Sequence, residues 1–344
     1  MSIQERLHAF WAGERPDIIP YTIYEWLWRD LPDDPAWQPL FDLGLGVTWH
    51  LPTVKTTYPD VEYRTKVWTE QGVEIEQRTL HTPVGDLNET FVDGWHKKYL
   101  LETPADYAIM THIVRSAVIE PDYERFLEQE RALPPFGVAL AYVGRTPIQV
   151  MLVDYAGAEN FGYHLFDLEA EVMALYEAML ANFRRTIEIA AAGPGRLIYL
   201  LENFSADMIG PARYEKLILP IYDELFPTLH SAGKIISTHY DGKLASCKEL
   251  IARAPMDVLE SLTSPPEGDL TMAQARAAWP DKRFWSNLNI GSYQLSSDDL
   301  SQLVRERVRQ AAPDGWGLAF EVSEHLPVNW RQSMLTVLRT LRDL

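Results

Sequence analysis

The sequence predicts an α/β chain that closes as a (β/α)8 TIM barrel, with an antiparallel β-ribbon excursion near its N-terminus. Three observations carry this. Seven short apolar runs suit buried parallel strands, helical periodicity fills most of the gaps between them, and polar residues close most of the runs. An open doubly wound sheet would need a Gly-rich phosphate turn, which the sequence lacks. At 344 residues the chain could hold two domains, but barrels run this long as one, so a single domain over 1–344 is expected.

Ser2 to Trp11 reads as a helix, with Ser2 and Glu5 as a capping box and Gly13 as its stop. Asp17 to Tyr24 is the first strand run. Its tip leads into Glu25, Trp26, Trp28 and Arg29, an aromatic patch that is either a ligand-stacking wall or a packed cluster under a loop. From Val61 to Phe91 the pattern changes to strict alternation broken by turn residues, as in antiparallel hairpins. Helices are expected over Pro104 to Arg115 and Asp122 to Arg131.

After residue 136 strands and helices alternate. The strand runs are Gly137 to Tyr142, Arg196 to Leu201, Gly233 to Gly242, Met256 to Glu260, Arg283 to Asn287 and Trp316 to Glu321. Leu168, Val172, Leu175, Met179, Phe183 and Ile187 step by three or four along one long amphipathic helix. Leu217, Ile221, Leu225 and Leu229 mark another, which Pro220 and Pro227 should bend. Ser297 to Asp299 is read as the cap of the helix before the last strand. An eighth strand is expected in the helical or aromatic stretches before residue 136.

The formal charge of −18 has no basic stripe within it, which argues against nucleic acid as a ligand. No apolar run approaches the roughly 20 residues of a membrane helix, and Met1 to Arg6 contains no signal-peptide core, so a cytoplasmic, membrane-free protein is expected. The one cysteine, Cys247, rules out an internal disulfide or a Cys-rich metal site.

In a barrel of this kind the active site lies at the C-terminal ends of the strands. The residues there are Glu202 and Asn203, His239 and Asp241, Glu260, Asn287, and the run from Glu321 through Glu324 to His325. His239 and Asp241 stand at i and i+2, on one face of their strand. Such a pair can bind a metal, transfer protons, or simply lock a loop.

Several segments, in this order, carry a resemblance: Glu5 to Asp17, Thr82-Pro-Val-Gly85, Tyr214 to Gly242, Met256 to Glu260, Pro265 to Asp269, and Glu324-His-Leu-Pro327. The chain resembles the uroporphyrinogen decarboxylase (URO-D) superfamily, which includes cobamide-dependent methyltransferases and is similar in fold to cobalamin-independent methionine synthase. The resemblance implies a TIM barrel. True decarboxylases grip a polycarboxylate with an Arg-rich N-terminal segment, whereas Tyr21 to Arg29 here holds one arginine, so the methyltransferase branch is the nearer.

Carried over from that branch, His239, Asp241, Glu260 and Glu324 would hold a divalent metal, zinc or, with so many oxygen donors, manganese or iron. Carboxylates stand where the family has thiolates. Glu202, Asn203 and Asn287 would act on substrate, and Tyr24, Trp26, Trp28 and Arg29 would wall the pocket. The implied reaction moves a methyl group between a small methylated molecule and a corrinoid on a separate protein. The other readings are a metal-free lyase acting on a porphyrinogen-like carboxylate and a non-catalytic barrel that binds a small ligand.

Overall fold

A computed structural model describes residues 1–322 and 324–344, and the chain groups into two compact units. The first unit, residues 1–53, 122–144 and 190–344, contains a closed all-parallel barrel. Its strands are β1 (Tyr21–Tyr24), β2 (Leu45–Pro52), β3 (Gly137–Gly144), β4 (Leu197–Leu200), β5 (Ile235–His239), β6 (Val258–Thr263), β7 (Arg283–Asn287) and β8 (Leu318–Val322). Each pairs with its neighbours in chain order, and β8 closes on β1.

The strand that the run pattern did not isolate is β2. Gly44 and Gly46 flank its start, Pro52 ends it, and Trp49 and His50 interrupt the apolar run. Register with β1 and β3 on either side holds it in place, so its strand character is set by pairing more than by local preference.

The N-terminal helix α1 (Ile3–Ala12) forms as expected, with Ser2 and Glu5 in a reciprocal capping box and Gly13 in the left-handed conformation at its end. Ile3, Leu7, Phe10 and Trp11 of α1 pack in one buried cluster with Val138, Leu197, Val258 and Trp285, residues near the starts of four strands. Trp285 also donates from Nε1 to Thr22 Oγ1 at 3.0 Å. Trp285→Ala is expected to cost about 3–5 kcal/mol, the usual loss for a large aromatic deleted from a core, read as a lower urea midpoint.

The long helix is Glu169–Ala192, beginning beside Leu168 as the periodicity implies. Two other expectations are adjusted. The cap before Ser297–Ala311 is Ser296, whose side chain accepts from Asp299 N, one residue earlier than expected. Pro220 follows directly on the π-turn Tyr214–Ile218, where the helix is already widened, and Pro227 lies inside Leu219–Ser231.

The second unit, residues 54–121 and 145–189, carries the ribbon. It is a four-stranded antiparallel sheet of Glu62–Glu70, Val73–Thr82, Gly85–Val92 and Trp95–Lys98, one strand more than the alternation suggested. Gln71-Gly72 and Asp93-Gly94 both have positive φ at each position, the conformation that two-residue hairpins require for strand twist. A separate antiparallel pair joins Val54–Thr57 to Val118–Pro121.

Candidate active site

Parallel register explains which side chains meet. His239 and Glu260 are direct partners across β5 and β6, so their side chains emerge together on one face. His239 Nδ1 lies 2.7 Å from Glu260 Oε2. Two tyrosines surround the pair. Tyr199 Oη donates to Glu260 Oε2 at 2.9 Å, Tyr24 Oη donates to Glu260 Oε1, and the two hydroxyls stand 3.1 Å apart. Strands β1 and β4 supply these tyrosines, so the cluster fills the barrel interior near the strand ends. All four residues are buried, Glu260 completely.

Burial would keep an imidazole neutral, but the Glu260 carboxylate and Asp241 outweigh it and push His239 up to about 10. Burial likewise raises Glu260, yet the His239 charge holds it below the ordinary carboxylate value. The next acid, Glu321 of β8, is pushed well upward by burial and by the charge on Glu260. At neutral pH the interior therefore holds an imidazolium, one carboxylate and one neutral carboxylic acid. Glu321 Oε1 accepts from Ser261 N at 3.0 Å. Ser261 occupies the point where the β6–β7 register shifts, with φ of 61°, a bulge that turns its N–H toward Glu321.

From this interior the chain of contacts runs outward. His239 Nε2 is 3.3 Å from Asp241 Oδ2, and Asn203, itself left-handed at φ 47°, donates to the same oxygen at 3.3 Å. His239 holds Asp241 below its usual range even though burial opposes this. Asp241 in turn lines a cavity of about 170 Å³ with Thr263, Glu267, Asn287, Asn289 and Glu324 among its walls. Asn287 donates to Ser261 Oγ.

The expected metal set does not fit this arrangement as four ligands. Glu260 holds the inner nitrogen of His239, and its two oxygens take tyrosine hydroxyls. Asp241 holds the outer nitrogen, and Glu324 stands on the cavity wall. Among the described residues no three His, Cys, Asp or Glu side chains are grouped to hold an ion.

Other expected site residues are dispersed. Glu202 is fully buried and accepts from Tyr222 Oη of Leu219–Ser231 at 3.0 Å, so it faces the helical layer and not the cavity. Tyr24 belongs to the interior cluster and is no pocket wall. Trp28 packs edge-on against Trp49 and Phe136, Trp26 stacks on His50, and Arg29 is exposed. None of these four residues is on the cavity wall. Sequence reasoning missed Tyr199 and His50. Tyr199 is two residues short of the Leu201 that ends its run, and period two would have put it on the inward face. His50 pairs with Glu25 at 3.0 Å but lies in β2, the strand that the runs did not reveal.

No family model and no curated protein matches the chain. Among solved structures, the chain is similar in fold to a methyltransferase from Methanosarcina mazei, with a TM-score of 0.57 over 100% of this chain and 98% of that one. Identity is 10%, so the likeness is one of fold. No helix among the described residues is long and apolar enough to cross a membrane.

Proposed function

We propose that the chain is a methyltransferase acting at the C-terminal mouth of the barrel on a small neutral or cationic methylated amine or ether. One observation carries this reading: the cavity wall presents Asp241, Glu267 and Glu324 and, among the described residues, no lysine or arginine. Such a wall attracts ammonium groups and repels carboxylates, which sets it against a porphyrinogen-like polyanion. The fold shared with a methyltransferase, and the resemblance to the cobamide-dependent branch, support the class of reaction.

In this reading the Asp241 carboxylate faces the donor and pairs directly with an ammonium group, and His239, charged through Glu260, is the proton reservoir behind it. The methyl group leaves as a cation equivalent to a cob(I)amide on a separate protein. The corrinoid would supply a Co(I) nucleophile, oxidised to Co(III) as it takes the methyl group, and the heteroatom would keep the electrons of the broken carbon–heteroatom bond. An ether oxygen then takes a proton that passes from His239 Nε2 by way of Asp241.

Calorimetric titration with a charge series tests the reading: trimethylamine, a neutral methyl ether and a methylated carboxylate, each against the native chain and Asp241→Asn. The amine or ether is expected to bind, and Asp241→Asn to weaken the amine by about tenfold or more. Preferential binding of the carboxylate, or of a porphyrinogen, would overturn the proposal.

A further inference from the structure

The second unit holds a cavity of its own, of about 320 Å³, between the ribbon and the helix Pro104–Ser116. That volume is within the range of small-molecule sites. Tyr58, Tyr63 and Tyr155 stand around it, Leu80, Leu100, Met110 and Ile113 form apolar wall, and Glu89 supplies a carboxylate. Glu89 is largely withdrawn from solvent, with its side chain 12% exposed.

Two arginines also border this cavity, but both are committed elsewhere. Arg64 makes a two-pronged pair with Glu62 at 2.9 and 3.2 Å. Arg78 donates from Nε to Glu76 at 2.7 Å and lies over the Phe91 ring at 4.4 Å, leaving its Nη1 3.8 Å from Glu89. His96 Nε2 approaches Glu89 at 3.1 Å, and burial lowers that imidazole toward its neutral form. Burial raises Glu89, with Arg78 opposing. Glu89 is thus a poorly solvated carboxylate whose one full cation, Arg78, stands off at 3.8 Å with its Nε committed to Glu76, beside three phenol rings whose faces favour positive charge.

We infer that this cavity is a binding site for a methylated ammonium group, separate from the barrel cavity, with the cation against Glu89 and its methyl groups against Tyr58, Tyr63 and Tyr155. The bulk and polarisable surface of a quaternary ammonium match an aromatic cage better than the compact, strongly hydrated ammonium of lysine does. The proposal stands on the second unit alone and does not depend on the reaction assigned to the barrel.

The test is a calorimetric titration of the full chain with choline and with its neutral isostere, 3,3-dimethylbutan-1-ol. Glu89→Gln, Tyr63→Ala and Asp241→Asn are titrated alongside, the first two also combined with the third. Tyr63 is 61% exposed on the rim, so its truncation should leave the fold intact even if a change at Glu89 does not. Choline should bind the native chain about tenfold or more tighter than the isostere. In Asp241→Asn the barrel cavity's own hold on methylated cations is reduced, and Glu89→Gln and Tyr63→Ala should each weaken severalfold the choline binding that this variant retains. Equal affinity for choline and the isostere, no choline binding, or loss through Asp241→Asn with Tyr63→Ala unaffected would overturn it.

Discussion

Glu260→Gln is expected to destabilise the fold by about 3–5 kcal/mol near pH 6, the cost of leaving one member of a buried ion pair without its partner. The imidazolium of His239 is buried to 3% exposure, and the carboxylate at 2.7 Å is what keeps it charged. The loss depends on pH in a direction fixed by the two shifts. His239 is raised from 6.5 to about 10, so its contribution is complete below 6.5 and fades as pH rises through about 10. Glu260 is lowered from 4.5, so its contribution is complete above 4.5 and is lost as pH falls through its lower folded value. The stability gap between the native chain and Glu260→Gln should be widest between these ordinary values and narrow on both sides. Denaturant titrations from pH 3 to 10 check this; a gap independent of pH would mean that the pair is not ionised. Glu321→Gln serves as the contrast. Glu321 is raised, so its ionisation in the unfolded chain costs folded stability at neutral pH, and the neutral amide should hold stability at or above the native level at pH 8.

Asp241→Asn should lower kcat for methyl transfer by about 10²–10⁴-fold, the usual share of a group that handles a proton, while moving the melting temperature little. Asp241 is the residue shared by the interior relay and the cavity wall, and its side chain keeps 25% exposure, so it can be changed without opening the core. Asparagine keeps the shape and can still meet Asn203 and His239, but it cannot carry a proton between His239 Nε2 and a donor. His239→Gln should lose a similar factor in kcat. Asn203→Ala should cost less, because Asn203 only steadies the Asp241 oxygen through one 3.3 Å hydrogen bond. Comparable kcat values for all three variants and the native chain would remove the relay from the mechanism.

Most of the barrel was legible because buried parallel strands leave a local mark, a short apolar run with a polar end. The strand β2 left none, since two glycines, a proline and the Trp49-His50 pair disguise it and only its neighbours make it a strand. Within the site, His239, Asp241 and Glu260 could be singled out as polar residues at strand tips, and the structure joins them through hydrogen bonds. Their roles were not legible, because these depend on cross-strand register. The partnership of His239 with Glu260 places the carboxylate behind the imidazole, and nothing in the spacing of either segment reveals that. Glu202 shows the same limit in reverse. It closes its strand run as the other candidates do, yet Tyr222, twenty residues later in a helix, draws it away from the mouth.

Methyl transfer from a neutral or cationic donor is the reaction proposed for the acidic cavity at the barrel mouth. Its most direct test is single-turnover spectroscopy with cob(I)alamin, mixing the native chain and Asp241→Asn with methylated amines, ethers and carboxylates. Formation of methylcobalamin from an amine or ether by the native chain, slowed at least about a hundredfold in Asp241→Asn, is the result predicted. Methylcobalamin formed at equal rates by both chains, or turnover confined to carboxylates, would contradict it.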